Sequence, residues 1–251
     1  MKLLSIISLF FLSLTETTFA VNIFGPDDRN WVLDYSSHPL NKIVKLSTGC
    51  SGALVGRDLV LTAAHCVVHA AQKNSLRNLV IVDEIHVYTR YTLGQYQNSA
   101  RVIEFTVGSL TPTKNFEHDW AILKLSHPLG DEEGYFGVRH LDPKKDGDKK
   151  LTLPGFSGDK ISGEVLTIHQ NCSVKSDVGN FLFLHDCDMA RGASGAPLYL
   201  CEKKGCYIVG VNVAERRDGE KSLNVSRFSN ARANIGLSAN KFIGHITKLR
   251  K

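Results

Sequence analysis

The brevity of its apolar runs limits the fold of this chain more than any other feature. KIVKL (42–46), DLVLTAA (58–64), NLVIV (78–82), ARVIEFTV (100–107) and DWAILKL (119–125) are short and bounded by Gly, Asp, Asn or Ser. A second set follows after a polar, turn-rich stretch from about 127 to 149: KLTL (150–153), GEVLTI (163–168), FLFLH (181–185), PLYL (197–200), YIVGVNV (207–213) and ANIGL (233–237). Runs of this length, punctuated by turn residues, predict an all-β chain of antiparallel barrels or sandwiches. The two groups predict two units, 21–135 and 136–251, with no visible repeat between them. The end of the chain differs. From Ala239 onward, Phe242, Ile243, Ile246 and Leu249 recur at helical spacing and predict an amphipathic C-terminal helix.

MKLLSIISLFFLSLTETTFA (1–20) has an early lysine, an apolar run and a small-x-small ending, the pattern of a secretory signal peptide cut after Ala20. Its apolar run is shorter than the ~20 residues of a spanning helix. The mature chain is therefore expected to be secreted or periplasmic, with no membrane association after signal cleavage. Export also changes what six cysteines mean, since an even count in an oxidising compartment points to disulfides. No C-x-x-C occurs, so a zinc site fits poorly. CEKKGC (201–206) reads as a hairpin whose ends can join as Cys201–Cys206. The formal charge of +5 comes from lysines in turn-like segments without interleaved aromatics, which gives no nucleic-acid footprint.

Three segments carry chemistry. CSGALVGRDLVLTAAHC (50–66) places His65 at the end of an apolar strand, HDWAILKL (118–125) places Asp119 at the head of another, and CDMARGASGAP (187–197) sets Ser194 between glycines. A serine hydroxyl is a weak nucleophile until a neighbouring base takes its proton. The order His, Asp, Ser is that of chymotrypsin-like enzymes and not of subtilisins or α/β-hydrolases. His69 stands at zinc-pair spacing from His65 but lacks the intervening glutamate, and is read as a surface residue.

TAAHC, DWAILKL and GASGAP resemble the chymotrypsin-like serine protease family, and the resemblance runs from about Asp27 to the C-terminal helix. It implies two six-stranded antiparallel β-barrels with the site at their junction. It also implies a general base His65, an orienting Asp119, a nucleophile Ser194, and an oxyanion hole of the Gly192 and Ser194 N–H groups. Cys50–Cys66 matches the family bridge beside the histidine; with it and Cys201–Cys206 granted, Cys172–Cys187 remains, while pairing 172 with 206 and 187 with 201 stays open. Protein or peptide substrates are implied, with no metal or organic cofactor and a monomer as the default.

Ala193 departs from the trypsin type, where an aspartate before the serine pairs with a newly cut amine. The bacterial branch that includes glutamyl endopeptidases also lacks that aspartate, and GPDDR (25–29) is similar to it in wording. No zymogen stage is then expected, and signal cleavage would yield active enzyme beginning at Val21. The pocket-lining stretch of that branch corresponds here to Asn212, Val213, Ala214 and Glu215, with Asn212 where a histidine stands in the branch. Asp188 lies six residues before Ser194, the offset at which trypsin-like enzymes carry the aspartate that selects Lys or Arg. An aspartate that does not set specificity also occurs there in bacterial relatives, so both readings stand, with a lean to Lys/Arg. The alternative of another class is a catalytically silent binding or adhesion protein, against which the intact triad speaks.

Overall fold

The computed structural model describes residues 21–73, 84–147, 149–217 and 227–251. The signal-peptide segment, NLVIV (78–82) and the side chain of His69 lie outside the described residues. No described helix is long and apolar enough to cross a membrane.

The first half is a closed six-stranded barrel. Its strands, in the order they pair, are Ile43–Leu46, Ser51–Leu54, Leu59–Thr62, Ala121–Leu125, Asn98–Val107 and His86–Thr89, which pairs back onto the first. Ile43, Leu46, Leu54, Leu61, Ile122 and Leu123 are essentially inaccessible, and each such side chain contributes about 1.5–3 kcal/mol by leaving water. Strands with both faces covered read as continuous apolar runs, which is why KIVKL, DLVLTAA and DWAILKL stood out.

The second half departs from the expected second barrel. Its sheet runs Val174–Gly179, Leu182–His185, Ala233–Ser238, Gly205–Arg216, Pro197–Glu202, Leu151–Gly155, Leu166–Cys172 and Asn30–Val32. A ninth strand, Gly137–Val138, runs parallel to Gly205–Arg216. At the two ends of this path, Val174–Gly179 pairs with Leu182–His185, and Asn30–Val32 pairs with Leu166, Thr167 and Ile168. Val174–Gly179 is mostly exposed and polar, so its sequence carried no apolar signal.

The N-terminal segment thus joins the second half. Val21–Asn22 pairs with Met189–Ala190, immediately before the Ser194 loop. Arg29 is buried and bridges Asp27 and Asp159, anchoring the segment across the sheet. At the other end, Ser238 caps a 3₁₀ turn (Ala239–Lys241) that leads into the helix Ile243–Leu249. Phe242 and Ile246 form the buried stripe of this terminal segment. Beyond the helix, Arg250 donates to the carbonyls of Val55 and Phe136, tying the end of the second half to the first. Three disulfides close Cys50–Cys66, Cys172–Cys187 and Cys201–Cys206, which resolves the pairing that the sequence left open.

Candidate active site

His65 does not end a strand. The strand stops at Thr62, and His65 sits in the first turn of the helix Ala64–Lys73, held by the Cys50–Cys66 disulfide at its neighbour. Asp119 also precedes its strand, at the end of a 3₁₀ turn (Phe116–His118). Both residues therefore project from the rim of the closed barrel, where the adjacent strands Leu59–Thr62 and Ala121–Leu125 bring them together. The Asp119 carboxylate is inaccessible and grips His65 twice: Oδ2 lies 2.7 Å from Nδ1, and Oδ1 accepts the His65 backbone N–H at 2.9 Å. This holds the Nδ1–H tautomer, leaving Nε2 able to accept a proton. Beside His65 opens a cleft of about 300 Å³ lined by Val68, Leu110, Thr111, Pro112, Thr113 and Lys114.

Ser194 comes from the other half, on a loop locked by hydrogen bonds to both. Ser51 of the barrel donates its N–H to the Ser194 carbonyl (2.9 Å) and its hydroxyl to the Gly192 carbonyl (2.8 Å), while accepting the Phe156 N–H. The Ser194 carbonyl lies 3.8 Å from Cys66 Sγ, so the serine sits beside the histidine turn. Gly195 has φ +78°, and a Cβ there would collide with Thr62 Oγ1 and the Ser51 carbonyl. Only glycine allows this approach between the halves. Gly192, at φ +102°, packs as closely on the Phe156 carbonyl. Among the described residues, the N–H groups of Gly192 and Ser194 have no hydrogen-bond acceptor.

The residues expected to line a specificity pocket are more deeply engaged than the sequence suggests. Asp188 is 2% exposed, and its Oδ1 accepts the Phe24 N–H of the N-terminal segment at 2.8 Å. Its Oδ2 is buried without a donor, because the nearby His169 Nδ1 already accepts the Asp188 N–H. Burial pushes this carboxyl up to about 7, with the Phe24 N–H opposing and Asp28 adding to the rise. Asn212 is inaccessible, with both ends of its amide in hydrogen bonds to protein. Val213 is buried, and Ala214 and Glu215 are half-buried along a bulge opposite Ile235. Burial raises the Glu215 carboxyl, against the pull of Arg217 at 2.9 Å.

Among the described residues, two groups have metal-like proximity. Cys50, His65 and Cys66 cluster, but both sulfurs are in the disulfide and cannot act as thiolates. Asp28, His169 and Asp188 also cluster, yet His169 is held between the Asp188 N–H and Asp28 Oδ1, leaving neither ring nitrogen unengaged. Four residues at this site escaped the sequence reading: Ser51, His169, His185 and Asn22. Each acts through a partner more than a hundred residues away or on another strand, and no local pattern marks it. Asn22 donates to the Arg216 and Ala233 carbonyls and to Asn234 Oδ1, closing the N-terminal strand over this wall.

Comparison with known proteins agrees with this geometry. The family described as Trypsin matches residues 33–232. Glutamyl endopeptidase of Bacillus licheniformis is 26% identical over 181 residues, covering 71% of this chain and 54% of the relative. Inactive serine protease 35 of Mus musculus is 25% identical over 230 residues, covering 71% of this chain and 55% of the relative. The chain thus spans about half the length of these curated relatives. A solved Glu endopeptidase in complex with MPD superposes with a TM-score of 0.71 at 25% identity, covering 91% of this chain and 99% of that one. The aligned structure shares the chymotrypsin fold, and the family match spans both halves that build the site. On that footing the chain belongs to the trypsin family of serine proteases, beside the bacterial glutamyl endopeptidases.

Proposed function

We propose that the protein is an extracellular serine endopeptidase that works through His65, Asp119 and Ser194. The observation that carries this reading is the double grip of buried Asp119 on His65, with the Ser194 loop clamped beside it. His65 Nε2 takes the Ser194 proton as Oγ attacks the scissile carbonyl, and returns it to the departing amine. Asp119 stabilises the imidazolium without being protonated. The unpartnered N–H groups of Gly192 and Ser194 receive the oxyanion, each contributing about 3 kcal/mol to lowering the barrier. Three disulfides and the likeness to a Bacillus subtilis protein named extracellular metalloprotease, 24% identical over 193 residues, support export.

Preference at the cleaved bond is read differently from the sequence expectation. A Lys/Arg preference has no support, because the Asp188 carboxylate already accepts the Phe24 N–H and burial favours its neutral form. The names of the similar proteins point instead to glutamate before the scissile bond. A casein assay of wild type against Ser194→Ala tests the chemistry, and peptides differing only in Glu, Lys or Phe before the bond test the preference. Hydrolysis that survives Ser194→Ala sinks the mechanism. A folded wild type without hydrolysis supports a silent binding protein, in line with the relative named as inactive.

A further inference from the structure

Ala193 offers no side-chain group to hold the loop that presents Ser194, yet three consecutive peptide units of that loop are pinned. The Arg191 carbonyl accepts the Gly158 N–H at 2.7 Å, the Gly192 carbonyl accepts the Ser51 hydroxyl, and the Ala193 carbonyl accepts Asn212 Nδ2 at 3.0 Å beside the Ala196 N–H at 3.2 Å. A trans peptide is planar, so its C=O and the following N–H point in opposite directions. Holding the Ala193 oxygen against Asn212 therefore aims the Ser194 N–H away from the sheet.

Asn212 can serve this purpose in one orientation only. Its two Nδ2 hydrogens go to the Ala193 carbonyl and to Met189 Sδ (3.0 Å), and its Oδ1 faces His185 Nε2 at 3.1 Å. A flipped amide would set oxygen against the Ala193 oxygen. What prevents the flip is His185, which is inaccessible to solvent. Its Nδ1 accepts the Cys187 N–H, so the ring proton resides on Nε2 and can only be donated. Burial holds the ring well below the usual histidine range, at about 4, and the neutral tautomer persists through neutral pH. The Asn212 main chain adds two more bonds to the same loop, accepting the Gly195 N–H and donating to the Ala196 carbonyl. His185 and Asn212 lie on the two strands that flank Ala233–Ser238, where Gly236 stands opposite Asn212 and contributes no side chain between them.

We infer that His185 and Asn212 form a buried relay that positions the Ser194 N–H as an oxyanion donor. Its elements are His185 Nε2–H to Asn212 Oδ1 and Asn212 Nδ2–H to the Ala193 carbonyl. This rests on the serine peptidase reading and assigns Asn212 to the loop and not to substrate. Both are positioning residues, since neither touches the reacting atoms.

The test compares Asn212→Asp, His185→Leu and His185→Gln in the exported, disulfide-bonded protein. It reads kcat and KM separately, together with the affinity for a peptide aldehyde, whose tetrahedral adduct needs the oxyanion donors. Asn212→Asp keeps the shape but replaces the side-chain donor to the Ala193 carbonyl with an acceptor, leaving only the Ala196 N–H on that oxygen. It is expected to lower kcat and aldehyde affinity by about 100-fold, the scale of one lost oxyanion donor, with KM within about threefold. His185→Leu frees the amide to flip and is expected to lose about 10-fold, whereas His185→Gln restores an N–H donor and recovers most of that loss. A folded Asn212→Asp that keeps kcat and aldehyde affinity within about threefold of wild type overturns the relay. If Asn212→Asp does not fold, the Leu and Gln variants of His185 decide; equal behaviour of the two refutes it. The Ser194 amide resonance, followed in ¹⁵N-labelled protein that keeps Ser194, separates this from the wider reading. A shift in His185→Leu that His185→Gln reverses supports the relay even in a protein that hydrolyses nothing, and an unmoved resonance overturns it.

Discussion

In the closed half, strand Ile43–Leu46 pairs with both Ser51–Leu54 and His86–Thr89, and the barrel has no edge. In the open half, Val174–Gly179 and Asn30–Val32 lie at the two ends of the sheet path. These edge strands are short or charged, with Lys175 and Asp177 in one and only three residues in the other, which discourages pairing with a further chain. The closed half presents His65 and Asp119 through contacts between adjacent strands. The open half presents Ser194 on a loop that relies on bonds from Ser51, Gly158 and Asn212. A pair built on a barrel rim is rigid by closure, whereas a loop over an open sheet has to be tied down one peptide at a time.

The largest expected effect comes from removing either half's share of the chemistry. Ser194→Ala or His65→Ala should each abolish measurable turnover, and Asp119→Asn should lower kcat about 10⁴-fold by favouring the wrong tautomer. Because the residues act as a unit, the double variant Ser194→Ala/His65→Ala should be no worse than either alone. Additive losses in steady-state kinetics would show that the halves act independently.

The disulfides come next and compare the halves directly. Cys50–Cys66, in the closed half, spans 16 residues, and Cys201–Cys206, in the open half, spans five. On the chain-entropy relation, replacing the first pair by alanine removes about 3 kcal/mol and the second about 2 kcal/mol. Urea unfolding measures both, and a reversed order would break the loop-length account.

Ser51→Ala cuts the clamp between the halves without touching the triad. It removes the bond to the Gly192 carbonyl and leaves the Phe156 N–H without its acceptor. A loop displaced by a fraction of an ångström should lower kcat about 10- to 100-fold, with KM little changed. An unaltered kcat would mean that the loop is held without the hydroxyl, by the Ser51 N–H and the bonds of the open half.

The last comparison is one of pH dependence and concerns Asp188. Folding raises its carboxyl to about 7, against ~3.9 when unfolded. Between these values the folded state holds a proton that the unfolded state has released, so stability falls as pH rises from about 4 to about 7. His185, lowered to about 4, acts in the opposite sense, its contribution being lost as pH falls from about 6.5 to about 4. Asp188→Asn should therefore remove the loss toward neutral pH and leave the acid-side loss in place. Tm measured from pH 4 to pH 8 checks this.

Most of the strands were legible because a buried strand needs apolar residues on one or both faces, and short runs bounded by turn residues report that need locally. Ala121–Leu125 and Pro197–Glu202 follow the runs read for them almost to the residue. Val174–Gly179 was not legible, since an exposed edge strand has no such need. Val21–Asn22 and Met189–Ala190 are too short for any periodicity, and each exists only because the other lies beside it.

By itself the sequence determined the residue types and chain order of the candidate triad, the glycines of the serine loop and an even set of cysteines. These are properties of short segments whose chemistry depends on side chains close in the chain. Tertiary structure alone decided that the second sheet stays open, that Asp188 faces the N-terminal segment, and that Asn212 is turned onto the Ala193 carbonyl by His185. Each of those outcomes depends on which groups remain unpaired once distant strands have met. The hydrogen-bond partner of a buried polar side chain is set by that closure and not by its neighbours in sequence.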